Sequence, residues 1–161
     1  CRSVYSPWIQ EGETDFLRAF EQAEGLRAIN WMRKDGIAII SRSSLVPAIV
    51  TSSKEFTYPD DAVAKIKKKL AKVIAVDADK IAGELGNPRL VNTILIGVLS
   101  SYLPFDPNLW VETIKLLVKP KLVDINLTAL ERGRQERTRS SSGSEARGSP
   151  KKHSQSPATA R

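Results

Sequence analysis

The sequence predicts an α/β fold: a three-layer sandwich with a mostly parallel sheet and a helix cluster at the carboxyl end. Short apolar runs, typical of strands covered on both faces, alternate with segments of helical periodicity. Near the carboxyl end, Asn87-Pro88 and Asp106-Pro107 each combine a capping side chain with a proline suited to the first helical turn. Strands that alternate with helices favour a sheet with helices on both faces.

The first elements predicted along the chain are a strand over residues 15–20 and a helix from Gln22 to Met32. Asp35-Gly36 is typical of a turn. Ile37 to Ile40 is a short apolar run that indicates a strand buried on both faces. These segments predict the first strand–helix–strand unit.

The middle of the chain predicts a second unit of the same kind. Leu45 to Thr51, interrupted by a proline, indicates an extended segment near a sheet edge. A lysine-rich helix follows, with its apolar stripe on one side and its lysines on the solvated side. Val73 to Val76 indicates another buried strand, and Asp77 begins a short helix that ends at Gly86.

The carboxyl-terminal part predicts three tightly docked helices. The helix that follows Pro88 has a broad apolar face formed by Leu90, Val91, Ile94, Leu95, Val98, Leu99 and Tyr102. A helix with this pattern is expected to be buried on most sides.

The last segment, residues 135–161, is predicted to be a disordered, basic tail rich in Ser and Arg, so that the folded domain covers residues 1–134. From Glu131 onward there is no large apolar residue to offset the entropy of ordering. Residues 131–161 carry eight Lys or Arg against three acids, which is +5 of the chain's net charge of +7. A solvated extension is the favoured interpretation. Contact with an acidic surface or nucleic acid is the alternative, but no aromatic residue accompanies the charges to stack on bases.

The candidate site residues follow from the topology, because ligands of parallel sheets tend to bind beyond the carboxyl ends of the strands. Glu21, Arg42, Ser43 and Asp77 occupy those positions and could form a polar rim that faces a phosphate-bearing ligand or a partner subunit. For Glu21 and Asp77 the structural alternative is a role at a helix N-terminus, and for Ser43 ordinary loop chemistry. Asn92 lies in an apolar helix, where a bond to a neighbouring carbonyl is favoured over a contact across an interface.

The sequence offers little for catalysis. It contains one histidine, His153, and one cysteine, Cys1, which exclude a His-dependent triad in the folded part and an iron–sulfur cluster held by this chain alone. No glycine-rich phosphate loop is present. The lone cysteine, the lack of a recognisable signal peptide and the lack of a long apolar run predict a cytoplasmic protein without a membrane contact.

Several motifs in a fixed order resemble one family. They are Val4-Tyr5-Ser6-Pro7, Glu11-Gly12-Glu13, residues 20–27, Val76-Asp77-Ala78, residues 84–100, residues 103–110, residues 120–127 and Glu131-Arg132-Gly133-Arg134. Over residues 4–134 the chain resembles the gamma domain of 2-oxoacid:ferredoxin oxidoreductases, in the branch that acts on indolepyruvate.

The resemblance implies a subunit that is inactive alone and binds no cofactor by itself. It implies that thiamine diphosphate and the iron–sulfur clusters are carried by a large partner subunit, that coenzyme A takes part in the reaction, and that ferredoxin receives electrons from the complex. The family's glycine-rich N-terminal segment has no counterpart here, so we expect that the chain lacks that segment. The competing hypothesis is a noncatalytic α/β binding module whose basic tail contacts an acidic or nucleic-acid partner.

Overall fold

The computed structural model describes residues 8–43 and 61–145. In these two parts, three strands form one parallel sheet in the order β1-β2-β3. The strands are β1 (Thr14–Ala19), β2 (Met32–Ser41) and β3 (Lys72–Val76). The helices are α1 (Gln22–Ala28), α2 (Ala62–Lys69), α3 (Ala78–Glu84), α4 (Val91–Ser100), α5 (Pro107–Leu117) and α6 (Val123–Glu145). Short 3-10 turns at Ile29–Trp31, Pro88–Leu90 and Pro120–Leu122 precede β2, α4 and α6.

Helices cover both faces of the sheet, which confirms the predicted α/β sandwich. On one face, Ala38 and Ile40 of β2 pack in a core with Ile66 and Leu70 around α2. On the other face, Ile39 and Ile74 pack with the core residues of α3, α4 and α6. Because successive residues of β2 point to opposite faces, its apolar run supplies both cores. We call these the α1–α2 core and the α3–α4–α6 core.

The start of β2 differs from the sequence prediction. The helix expected to reach Met32 ends at Ala28, and Met32 is already extended with its side chain buried. The turn expected at Asp35-Gly36 lies inside β2, where the pairing with β1 jumps from Thr14 opposite Met32 to Phe16 opposite Ile37. The extra residues form a bulge. Glycine suits this position because a Cβ on Gly36 would lie 3.0 Å from the Thr14 carbonyl oxygen and 3.1 Å from that of Arg33, which is closer than ordinary contact.

The bulge is held by charged side chains. Arg33 donates to Asp35 Oδ1 at 2.6 Å from Nε and to Asp15 Oδ1 at 2.6 Å from Nη1. The hydrogen bond from Arg33 lowers the pKa of Asp35 below its usual value. The segment from Leu45 to Thr51, predicted as an edge strand, lies outside the described residues, as do Cys1 and His153.

The helix α4 packs against α6 at very short range. A Cβ on Gly97 would lie 2.2 Å from the carbonyl oxygen of Leu130, and a Cβ on Gly133 would lie 2.0 Å from that of Ile94. Only glycine permits the two backbones to approach so closely. The predicted caps are present as well. Asn87 Oδ1 accepts from the Arg89 amide at 3.0 Å, and Asp106 Oδ1 accepts from the Asn108 amide at 2.8 Å.

The cluster was predicted to contain three tightly docked helices, but α5 is not tightly docked. None of its residues is buried. Its apolar residues lie on two sides, and only Trp110, Val111 and Ile114 are half-buried. The spacing of apolar residues predicted the helix but not how much of it is covered.

The final helix continues beyond the predicted domain boundary at residue 134, as far as Glu145. Arginines anchor this part although no large apolar side chain does. Arg134 donates from Nε to Ser100 Oγ at 3.1 Å, and Arg137 donates to the Ser101 carbonyl oxygen while its guanidinium lies 4.6 Å from the Tyr102 ring centre. Residues 135–145, which were expected to be disordered, are therefore helical in the structure, whereas residues 146–161 lie outside the described ranges. No helix in the described ranges is long and apolar enough to span a bilayer.

Candidate functional site

The carboxyl edge of the sheet brings four of the predicted site residues to one rim. Glu21 follows β1, Arg42 and Ser43 follow β2, and Asp77 follows β3. Two backbone hydrogen bonds connect these strand ends: the Arg42 amide donates to the Val76 carbonyl at 2.8 Å, and the Gln22 amide donates to the Ser43 carbonyl at 3.3 Å. The rim is therefore fixed by the sheet itself.

Across the rim, Arg42 and Asp77 form a loose ion pair. Their Nε and Oδ1 atoms lie 3.7 Å apart, and the two side chains are 52% and 62% exposed. An ion pair so open to water contributes at most about 1 kcal/mol. Asp77 occupies the N-cap position of α3, but its side chain makes no capping hydrogen bond, which differs from the structural alternative considered for it. The guanidinium of Arg42 can therefore exchange this carboxylate for another anion at small cost.

The carboxylate of Glu21 has the structural role considered for it. It is nearly buried, and its two oxygens accept from the amides of Ala23 at 3.0 Å and Glu24 at 3.1 Å. These amides belong to the first turn of α1, whose partial positive charge favours a carboxylate. Glu21 shapes the rim rather than facing outward from it.

Ser41 is a rim residue that the sequence reasoning did not single out. It is completely buried at the end of β2. Its Oγ donates to Asp79 Oδ2 at 3.5 Å and accepts from the Ser43 amide at 3.4 Å. A buried hydroxyl needs such partners. The available signal was a serine directly after the buried run Ile37 to Ile40.

An open pocket of about 400 Å³ lies beside the rim, on the side of the α1–α2 core. It is lined by Gln22, Arg42, Asp61, Val63, Ala64 and Lys67. Asp61 is already engaged by Lys65 at 2.8 Å, and that hydrogen bond lowers the pKa of Asp61. With Asp61 neutralised locally, Arg42 and Lys67 give the pocket a positive balance that suits an anionic group.

The fifth predicted residue, Asn92, does not belong to this rim. It lies on α4, on the opposite face of the sheet from the pocket, and it is exposed. Its Oδ1 accepts from Arg18 Nη1 at 2.5 Å, where a bond to a backbone carbonyl was expected. Burial lowers the pKa of Arg18, and its guanidinium lies 4.9 Å from the Phe20 ring centre. Asn92 therefore connects α4 to β1.

The described part of the chain contains no group of three or more His, Cys, Asp or Glu residues that could hold a metal ion. The rim and its pocket therefore offer positive charge, hydrogen bonds and shape.

Comparison with known proteins gives a consistent result. Residues 2–136 match the family described as pyruvate ferredoxin/flavodoxin oxidoreductase. The chain is 36% identical over 135 residues to the indolepyruvate oxidoreductase subunit IorB of Thermococcus kodakarensis. It is 34% identical over 134 residues to the IorB subunit of Archaeoglobus fulgidus and 34% identical over 137 residues to that of Pyrococcus horikoshii. Each match covers 81% of this chain and 66% of the relative, so the chain spans slightly less than two thirds of the length of these relatives.

Proposed function

Because the chain belongs to the pyruvate ferredoxin/flavodoxin oxidoreductase family, we propose that it is a subunit or domain of a 2-oxoacid:ferredoxin oxidoreductase that acts on an aryl pyruvate such as indolepyruvate. The single observation that carries the substrate class is the 34–36% identity to three subunits of indolepyruvate oxidoreductases over 81% of the chain. The family match alone supports only the wider class.

The proposed reaction is an oxidative decarboxylation. A 2-oxoacid, coenzyme A and two oxidised ferredoxins yield an acyl-coenzyme A, carbon dioxide, two reduced ferredoxins and a proton. Thiamine diphosphate supplies the carbanion stabilisation that decarboxylation needs. This assignment places the chain in a cytoplasmic complex with ferredoxin as the electron acceptor.

The residues of this chain do not fit the redox centres of that reaction. An iron–sulfur cluster needs about four thiolates, and the sequence contains one cysteine. The described residues also lack a carboxylate cluster for a divalent metal that would accompany a diphosphate. We therefore assign thiamine diphosphate and the clusters to a large partner subunit.

The role left for this chain is to bind and position. Arg42, whose ion pair with Asp77 is loose and exposed, lines the pocket beside the rim together with Lys67 of α2. We assign this pocket to a phosphate group of the complex, since a guanidinium and an ammonium are the side chains that bind phosphate most often. Coenzyme A and thiamine diphosphate share that chemistry. Glu21 and Ser41 keep the rim in shape.

Co-expression with a large thiamine-diphosphate-binding subunit tests the assignment. We expect the complex to reduce a viologen dye in the presence of indolepyruvate and coenzyme A, and the isolated chain to show no such activity. A stable complex that is inactive with every 2-oxoacid would contradict the proposal. Salt-sensitive binding of a polyanion by an isolated monomer, with no binding to the large subunit, would favour the noncatalytic module instead.

The phosphate role is tested in the same complex. We expect Arg42→Gln and Lys67→Gln to raise the KM for one phosphate-bearing compound, either coenzyme A or thiamine diphosphate, and titration of each compound distinguishes the two. Arg139→Gln is the matched control, because that guanidinium lies 74% exposed near the end of α6. Equal effects of all three substitutions, or none, would remove the pocket from the proposal and leave the family assignment intact.

A further inference from the structure

The helix α5 presents an apolar surface that no described residue covers. Leu109, Leu116 and Leu117 are 51%, 83% and 76% exposed, and Phe105 just before the helix is 52% exposed. We call these four residues the α5 surface. Monomeric proteins rarely expose several large apolar side chains together unless they contact another molecule.

Leu109 and Leu116 of the α5 surface lie away from the side by which the helix is attached, whereas Leu117 lies about 20° from Trp110 around the helix. With a rotation of about 100° per residue, Leu109 and Leu116 lie on one side and the half-buried Trp110 and Ile114 on the other. The exposed side is therefore not the result of a misplaced core stripe. It is a second apolar stripe on the same helix.

Two opposite charges lie on one edge of this stripe, Glu112 about 60° and Lys115 about 120° from Leu109 around the helix. Glu112 and Lys115 are both exposed, and neither forms an ion pair with another described residue. Along the helix the order is leucine, glutamate, lysine, leucine, at positions 109, 112, 115 and 116. An apolar stripe with one acid and one base on the same edge is complementary to itself when one copy is reversed.

From this arrangement we propose that the α5 surface binds the α5 surface of a second copy of the chain, with the two helices antiparallel about a two-fold axis. With a rise of about 1.5 Å per residue, an axis level with the point between residues 113 and 114 brings Glu112 to the height of Lys115 of the second copy. Leu109 then lies within about 3 Å, measured along the helix axis, of the height of Leu116 in the second copy. Because the axis is two-fold, both contacts occur twice.

A second copy fits better than the carboxyl-terminal segment of the same chain. Residues 146–161 contain no Val, Ile, Leu, Met, Phe, Trp or Tyr, so they offer no large side chain to cover the leucines. The segment also carries four Lys or Arg and no acid, so it can pair with Glu112 but repels Lys115. A reversed copy supplies both leucines and both charges.

The expected dimer is weak. One pair of short helices buries less surface than most stable dimers, so we expect a dissociation constant on the order of micromolar or weaker. This proposal does not depend on the reaction that the complex catalyses, and it can fail while the proposed function holds.

Charge reversal provides the test, by sedimentation equilibrium of the full chain over a concentration series. We expect Glu112→Lys and Lys115→Glu each to raise the dissociation constant by at least about tenfold, because each places like charges opposite one another at two points. We expect the double variant to return to within about threefold of the original value. No other proposed occupant of the surface predicts this restoration.

A second pair of variants protects the test against effects on folding. Leu116→Ser is expected to abolish the dimer without changing the melting temperature, whereas Ile9→Ser, at a site 61% exposed outside α5, is expected to leave the dimer intact. A monomer at all concentrations, equal effects of the two serine variants, or a double charge variant no better than the single ones would overturn the proposal. Loss of binding to a larger subunit by Leu116→Ser, without restored self-association in the double variant, would assign the surface to that subunit and overturn it as well.

Discussion

The helices α4 and α5 follow one another and are both rich in apolar residues, yet only α4 is buried. An Asn–Pro pair caps the 3-10 turn that leads into α4, and an Asp–Pro pair caps α5 directly. Ile94, Leu95 and Val98 of α4 are completely buried, while α5 buries no residue. The difference lies in the neighbour. Gly97 and Gly133 let α4 and α6 come into backbone contact, and within the described ranges no glycine contact of this kind joins α5 to a neighbour. Apolar content makes a helix able to be buried, but small residues in a facing helix decide how far burial proceeds.

The largest expected effect comes from making the same substitution in both helices. Leu95→Ala should destabilise the fold by about 2–5 kcal/mol, because it leaves a cavity in the α3–α4–α6 core. Leu116→Ala should change stability by no more than about 0.5 kcal/mol, since that side chain is already in water. Urea unfolding of both variants, at a concentration where the chain is monomeric, measures the difference. If the two substitutions lowered the free energy of unfolding equally, α5 would be covered in solution.

A smaller but sharper effect is expected at the glycine contact. Gly133→Ala places a Cβ 2.0 Å from the Ile94 carbonyl oxygen, so α4 and α6 must move apart, at a cost of about 1–3 kcal/mol or more. Gly83→Ala is the control, because a Cβ there meets nothing within 4 Å inside a helix and should stabilise by up to about 1 kcal/mol. Thermal unfolding of the two variants should shift in opposite directions. A neutral Gly133→Ala would show that the two helices are less closely packed than the structure has them.

The smallest expected effect concerns the end of α6. Arg134→Ala removes the bond to Ser100 and a second one to the Pro107 carbonyl, which should cost about 1 kcal/mol. Hydrogen exchange should accelerate in residues 134–145 and stay unchanged in β2. Arg139→Ala, at an exposed site, should have neither effect on the rest of the fold. If both variants exchange alike, the arginines do not anchor this part of the helix.

The sequence was sufficient for the layers and the order of elements because burial on both faces leaves a clear pattern. Ile37 to Ile40 and Val73 to Val76 are continuous apolar runs, and both are strands in the structure. The bulge at Arg33–Gly36 was predicted to be a turn because an Asp-Gly pair is typical of turns and also occurs in bulges, so the sequence does not distinguish the two. The continuation of α6 was missed because its anchors are arginines that reach distant carbonyls, and no local pattern encodes such contacts.

The rim was predictable in position but not in use. Topology alone placed Glu21, Arg42, Ser43 and Asp77 at the ends of the strands. Which of them caps a helix and which forms an ion pair depends on angles that the sequence does not reveal, so Asp77 faces Arg42 where a cap was considered. Ser41 was overlooked because a serine in a serine-rich stretch carries no sign of being completely buried.

The two cores of the sandwich also differ in when they can form during synthesis. The α1–α2 core and its closest neighbours draw on residues between Leu17 and Val73, whereas the α3–α4–α6 core needs Ala129. At ribosomal speed the interval between these points lasts on the order of several seconds. Throughout that interval the face of the nascent sheet that carries Ile39 and Ile74 is not yet covered by α6. During this interval the nascent chain has one face of its sheet covered and the other apolar face exposed, and we expect this period to be its main exposure to chaperones and to aggregation.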